Sequence, residues 1–190
     1  TNQLTTLLRE LGAGVILRPN MCEHGTIFVL GNRNTRDDAT PQVVLAAEHY
    51  NMIVRLAQAD PRTTLRIEVG GKYHETDRNS YNVLAELSGT DPLLKDEIVL
   101  IGAHLDSWHS SPGGTDNADG SAAAMEAMRI LKAVNARPKR TIRVALWSGE
   151  EEGLLGSRAH AQKHYAGAAN EAARQKVYAY FNDDPGAGPT

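Results

Sequence analysis

The 190-residue sequence predicts an α/β fold, a mostly parallel sheet flanked by helices and preceded by part of a smaller α/β domain. Three observations carry this. Short apolar runs suited to strands alternate along the chain with stretches of helical periodicity. The run Ile98, Val99, Leu100, Ile101 is apolar throughout, as in a strand covered on both faces. The pattern also changes across Gly70-Gly71 and the polar tract 72–79, which sets domains over 1–76 and 77–190.

In the first segment, Leu4, Leu7, Leu8 and Leu11 recur at helical spacing until Gly12 and Gly14 stop the helix. Val15 to Leu17 reads as a strand closed by Pro19, and Thr26 to Leu30 as another. Val43 to Leu45 leads as a strand into a helix from Ala46 to Ala59. Asp60-Pro61 ends that helix, because a residue before proline is pushed away from helical geometry. Leu65, Ile67 and Val69 alternate with Thr64, Arg66 and Glu68, the mark of a half-buried strand.

In the second segment, Tyr81–Leu87 and Ile98–Ala103 are expected strands. A helix follows from Ser121 to Val134, with Met125, Met128, Leu131 and Val134 on one stripe and Asp119 as its N-cap. Thr141–Trp147 is the third strand, Leu154 to His164 a helix, and Val177–Phe181 the fourth strand.

Composition narrows the function classes. A hydrophobic share of 41%, a charged share of 23% and a net charge of -3 are ordinary for a globular protein and give no reason to expect a nucleic-acid partner. No apolar run approaches the roughly 20 residues of a membrane span, and Thr1 to Leu11 reads as an amphipathic helix rather than a leader. Cys22 is the single cysteine, which excludes a disulfide within these residues and a thiolate metal cluster. No Ser lies in a Gly-x-Ser-x-Gly elbow.

Three strands end in metal-competent residues: His104 and Asp106, Glu150 and Glu151, Asp183 and Asp184. Parallel strands bring their carboxyl ends to one edge of the sheet, and Asp116 lies in a loop beside it. An imidazole with several carboxylates and no thiol suits zinc or a similar divalent ion, and a shared carboxylate is the usual bridge in a two-metal centre. Within the pair Glu150-Glu151, one can bind metal while the other takes a proton from water. Asp106 can accept the second N–H of His104 and fix the tautomer that ligates. Each cluster alone has a plainer explanation: Glu152 suits a helix start, and Asp183-Asp184 before Pro185-Gly186 suits a turn. Those explanations leave the coincidence of three strand ends unexplained. His109 stands close enough for a substrate contact; His24, His49, His74, His160 and His164 read as surface or helix-face residues.

GAHLDSWH, PGGTDNADG, RTIRVALWSGEEEGLLGS and YFNDDPGAG together resemble the co-catalytic zinc exopeptidases, which include bacterial leucyl aminopeptidases, carboxypeptidase Q and glutamate carboxypeptidase. The resemblance covers about Tyr81 to Gly188. Residues 1–76 are similar, more loosely, to the later part of the protease-associated domain that this family inserts. By this resemblance His104, Asp116 and Asp184 hold one zinc, Asp116 also bridges to a second, and Glu151 ligates that second ion. Glu150 is then the general base, and Asp106 supports the site from behind. The implied activity is hydrolysis of peptide bonds at a chain terminus, in a secreted or periplasmic setting. A non-catalytic relative or a two-metal deacylase of N-acyl amino acids are the rival readings. The family's last ligand, a histidine, lies beyond the segment matched here, so the 190 residues are expected to be a fragment.

Overall fold

The computed structural model describes residues 2–28, 40–70, 72, 75–108 and 111–184. The chain divides into two compact units, Thr1–Glu75 and Thr76–Thr190.

In the first unit, helix α1 (Asn2–Glu10) precedes strand β1 (Ile16–Pro19), which pairs in parallel with β2 (Gln42–Leu45), Ile16 opposite Gln42 and Pro19 opposite Leu45. Helix α2 (Ala47–Ala59) follows. The expected strand at 64–69 does not form, because no neighbouring strand among the described residues offers a ladder; Leu65, Ile67 and Val69 stay exposed. Thr26–Phe28 is likewise irregular, tied down by Asn20, whose side chain donates to the Thr26 carbonyl (2.5 Å) and accepts from the Phe28 N–H (3.1 Å). Val29 and Leu30 of that expected strand lie outside the described residues.

The second unit is built on a four-stranded sheet ordered β3-β5-β4-β6. The strands are β3 (Val83–Leu87), β4 (Ile98–His104), β5 (Thr141–Trp147) and β6 (Val177–Asn182). β4 runs parallel to both β5 and β6, and β3 closes one edge antiparallel to β5. Helices α3 (Asp119–Ala133), α4 (Leu155–His164) and α5 (Glu171–Gln175) complete the unit.

Strand alternation sorts β4 and β5 onto two cores. Ala103, Val144 and Leu146 pack with Ala124 of α3, and Ile101 and Met128 border them. Leu100, Ala145 and Trp147 form the other core, bordered by Ile98. The face that α3 buries is not the expected methionine stripe. Met125 is 51% and Val134 67% exposed, whereas Gly120, Ser121 and Ala124 are buried. Small residues let the helix backbone approach the sheet closely, and only Met128 of the longer side chains reaches the core. Asp119 is the first helical residue rather than a cap; its carboxylate accepts the Gly120 N–H at 2.7 Å.

Of the histidines read as surface or helix-face residues, His160 lies in helix α4. It is half-buried, 5.2 Å from the Trp147 ring and 4.5 Å from that of His164, and burial together with the nearby His164, Arg143 and Lys163 holds its pKa below the ordinary histidine value. His74 and His109 lie outside the described residues. No helix among the described residues is long and apolar enough to cross a membrane.

Candidate metal centre

The parallel strands β4, β5 and β6 deliver their carboxyl ends to one edge, and side-chain parity decides what meets there. Gly102 pairs with Asn182, so two residues further on His104, at the end of β4, and Asp184, just past β6, fall on the same face. His104 Nε2 lies 3.3 Å from Asp184 Oδ1 and 3.0 Å from Asp116 Oδ1. One ligand atom from each of the three residues lies within 4.8 Å of the others. Asp183, one step out of phase, extends the ladder instead: its N–H donates to the Gly102 carbonyl at 2.8 Å.

His104 is held rigidly. Its side chain is 2% exposed, and the Ser121 hydroxyl donates to its carbonyl at 2.7 Å. Nδ1 donates to the backbone carbonyl of Asp106 at 2.9 Å, which leaves Nε2 as the nitrogen that faces the two aspartates. The expected partner was the Asp106 carboxylate, but that group stands 3.6 Å from Nδ1. Its oxygens are taken by the next strand end, accepting the N–H of Glu150 (3.0 Å) and of Glu151 (3.1 Å). Two backbone donors in line outcompete a longer, poorly directed contact.

Asp116 comes from the turn 113–118. The peptide bond between Asp116 and Asn117 is cis. Asn117, 1% exposed, donates from Nδ2 to the Asp183 carbonyl at 2.8 Å and so ties this turn to the strand that carries Asp184. Gly120 fits beneath the tie. A Cβ there would strike Asn117 Oδ1 and come 2.6 Å from the Asp183 carbonyl oxygen.

The acidic loop after β5 leaves Glu151 5% exposed and Glu152 on the surface ahead of α4. Burial raises the Glu151 pKa and Asp116 raises it further; Glu150 and Asp106 add to this, against the opposing attraction of His104. At His104, burial disfavours the imidazolium. Asp184, the Asp106 carbonyl and the Asp106 and Glu150 carboxylates outweigh it, and the ring's pKa is raised. Both shifts favour the proton-bound forms where carboxylates crowd a partly buried site, and a divalent cation would offset that charge. The donor set fits one: an imidazole with its lone pair aimed inward and two carboxylates, with an open side, is a catalytic zinc-type arrangement.

The model of peptidase family M28 matches residues 82–188 of the chain, more than half of its length. The chain belongs to peptidase family M28. It is similar to bovine carboxypeptidase Q, 34% identical over 130 residues that span 68% of this chain and 27% of the relative. It is also similar to an aminopeptidase of Pseudomonas aeruginosa, 37% identical over 141 residues spanning 74% of this chain and 24% of that one. The chain thus spans about a quarter of the length of the curated relatives it matches. Among solved structures, a peptidase M28 precursor from Shewanella amazonensis superposes with a TM-score of 0.71 at 29% identity, covering 98% of this chain and 41% of that one. This shared architecture matches the α/β sheet with flanking helices described above.

Sequence reasoning passed over several groups that hold this M28 site together. Asn117 was the most accessible of them, a lone amide between Asp116 and Asp119 in a loop already singled out. Tyr180 gave less signal. Its hydroxyl accepts the Trp147 indole N–H (2.9 Å) and donates to Asn182 (2.6 Å), linking β5 to β6 across β4. Nothing in the spacing of Trp147 and Tyr180 announces that contact.

Proposed function

We propose that this chain forms part of the catalytic domain of a zinc-dependent M28 exopeptidase, with His104, Asp116 and Asp184 as ligands of one ion. The observation that carries the reading is the convergence of those three donors, within 4.8 Å of one another, at the joint carboxyl edge of β4, β5 and β6. Zinc bound there would supply Lewis acidity toward the scissile carbonyl and make water a better nucleophile near neutral pH.

The remaining roles belong to the chain's own groups. Glu150 takes the proton of the attacking water and returns it to the leaving amine. Asp106 fixes that loop through the N–H groups of Glu150 and Glu151, while its carbonyl keeps Nε2 of His104 turned to the ion. Asp116 and Glu151 are the donors proposed for a second zinc. Two carboxylates hold a divalent ion weakly, so that ion calls for a histidine from a longer polypeptide. Residues 1–76 are proposed as part of a protease-associated domain, and the whole protein as a secreted or periplasmic enzyme that takes peptides at one terminus.

The test is zinc stoichiometry and hydrolysis of aminoacyl-anilides and dipeptides, on the 190-residue chain and on a longer polypeptide that contains it. The chain alone is expected to bind at most one zinc tightly and to turn over little substrate. In the longer polypeptide Glu150→Gln should abolish turnover with metal content nearly unchanged. A near-normal rate in that variant would remove Glu150 from its role.

A further inference from the structure

The loop that carries Glu150 and Glu151 is fastened at two levels, and the lower one depends on a residue outside the ligand set. β3 runs antiparallel to β5 with Val83 opposite Leu146, so the residue before β3 stands level with the end of β5. That residue is Asn82. Its Oδ1 accepts the Ser148 N–H (3.1 Å) and the Ser148 hydroxyl (3.4 Å), and its Nδ2 donates to the Gly156 carbonyl (3.0 Å). Ser148 opens the loop, and Gly156 lies in the first turn of α4, just past the loop's far end.

Within the loop, the Gly156 N–H donates to the Ser148 carbonyl and the Leu155 N–H to the Gly149 carbonyl, each at 2.8 Å. The fit admits no side chain at position 156, where a Cβ would strike Asn82 Oδ1 and lie 2.5 Å from the Ser148 carbonyl oxygen. The upper fastening is the Asp106 carboxylate on the N–H groups of Glu150 and Glu151.

We propose that Asn82 is a positioning residue for Glu150 and Glu151: it clasps both ends of their loop and sets the height at which Asp106 can capture its crown. The proposal rests on the peptidase reading for its catalytic consequence, though not for the clasp. The role needs one donor and one acceptor on a short stem, which a primary amide has. Aspartate keeps the acceptor but turns a second one toward the Gly156 carbonyl, and serine reaches neither partner.

The experiment compares Asn82→Asp and Asn82→Ser with Glu86→Gln, which breaks the Glu86–Arg143 ion pair between the same two strands away from the loop. In the longer polypeptide, the two Asn82 variants should lower kcat by about 10–100-fold, as loss of a supporting partner does at metal sites, with KM nearly unchanged. They should also alter the visible absorption of the Co2+-substituted protein. Glu86→Gln should leave kcat and that spectrum as they are, whatever it does to thermal stability. In the metal-free protein, amide hydrogen exchange at Glu150 and Glu151 should accelerate about tenfold in Asn82→Asp, with Leu100 and Val144 unaffected. Normal kcat and cobalt spectrum in both Asn82 variants would overturn the proposal, as would an equal loss in Glu86→Gln. If the unaltered protein binds no metal and cleaves no peptide, the peptidase reading fails. The exchange rates then decide the clasp alone, and unchanged protection at Glu150 and Glu151 in Asn82→Asp refutes it.

Discussion

Gly120→Ala sets two well-known effects against each other, and the structure decides between them. Gly120 lies in the first turn of α3, where helix propensity alone favours alanine by about 0.5–1 kcal/mol. The new Cβ would strike Asn117 Oδ1 and stand 2.6 Å from the Asp183 carbonyl oxygen and 3.0 Å from Asn117 Cγ. Forcing a methyl into such a gap costs about 1–3 kcal/mol, and parting Asn117 from Asp183 costs about 1 kcal/mol more for a buried hydrogen bond. The net is a loss of about 1–3 kcal/mol, opposite in sign to the propensity. Asn117 follows Asp116 and Asp183 precedes Asp184, so relief of the clash also moves two proposed ligands. Zinc affinity should fall by about tenfold or more. Urea unfolding would read the first effect as a lower midpoint at unchanged slope, and competition with a chromophoric chelator would read the second. Gly114→Ala is the control, since nothing lies within 4 Å of a Cβ at that position. A Gly120→Ala chain more stable than its parent, with unaltered zinc affinity, would refute the packing argument.

Three further outcomes are expected. Asp184→Asn should weaken zinc binding far more than Asp183→Asn, because Asp183 contributes its main chain to the site; equal losses in isothermal titration would contradict the parity argument. His104 and Glu151 both have raised pKa values in the folded chain, so the folded state binds their protons more tightly than the unfolded one. Their stabilisation of the metal-free chain is full below their unfolded pKa values, about 6.5 for histidine and about 4.3 for glutamate. It is lost as pH rises through the raised ones. Melting temperatures with and without zinc should diverge across that range, since the ion takes only the deprotonated groups, and parallel curves would count against the site. Zinc uptake in weakly buffered solution should release protons, and the release should shrink in Glu151→Gln.

How much of the fold could be read from the chain depends on where tertiary pairing enters. The strands of the second unit were legible because a run such as Ile98–Ile101 has no other use for four consecutive apolar residues. Residues 64–69 show the converse. Their alternation is as good as that of any strand, but alternation only prepares a segment for pairing, and without a neighbouring ladder among the described residues the segment stays irregular. The helix α3 misled for a related reason. Periodicity placed the large apolar residues on a stripe, yet a helix lying close on a sheet buries its smallest residues, and here those are Gly120, Ser121 and Ala124.

The site divides along the same line. His104, the Glu150-Glu151 pair and the Asp183-Asp184 pair could be found by residue type at strand ends, and Asp116 in the loop beside them, since that chemistry is local. Choosing Asp184 over Asp183 from the residues alone needed the register of β6 on β4, because a shift of one residue exchanges the faces, and no spacing within either strand contains it. Asp106 shows how a correct position can hide a wrong contact. Two residues beyond His104 it was bound to lie near the imidazole, and it does, through its carbonyl. Its carboxylate is spent on Glu150 and Glu151, some 45 residues downstream. The residues proposed to ligate are thus written at strand ends and in the loop beside them, whereas those proposed to aim them, Asp106, Asn117 and Asn82, act across strands. Their partners exist only once β3, β4, β5 and β6 have assembled in register.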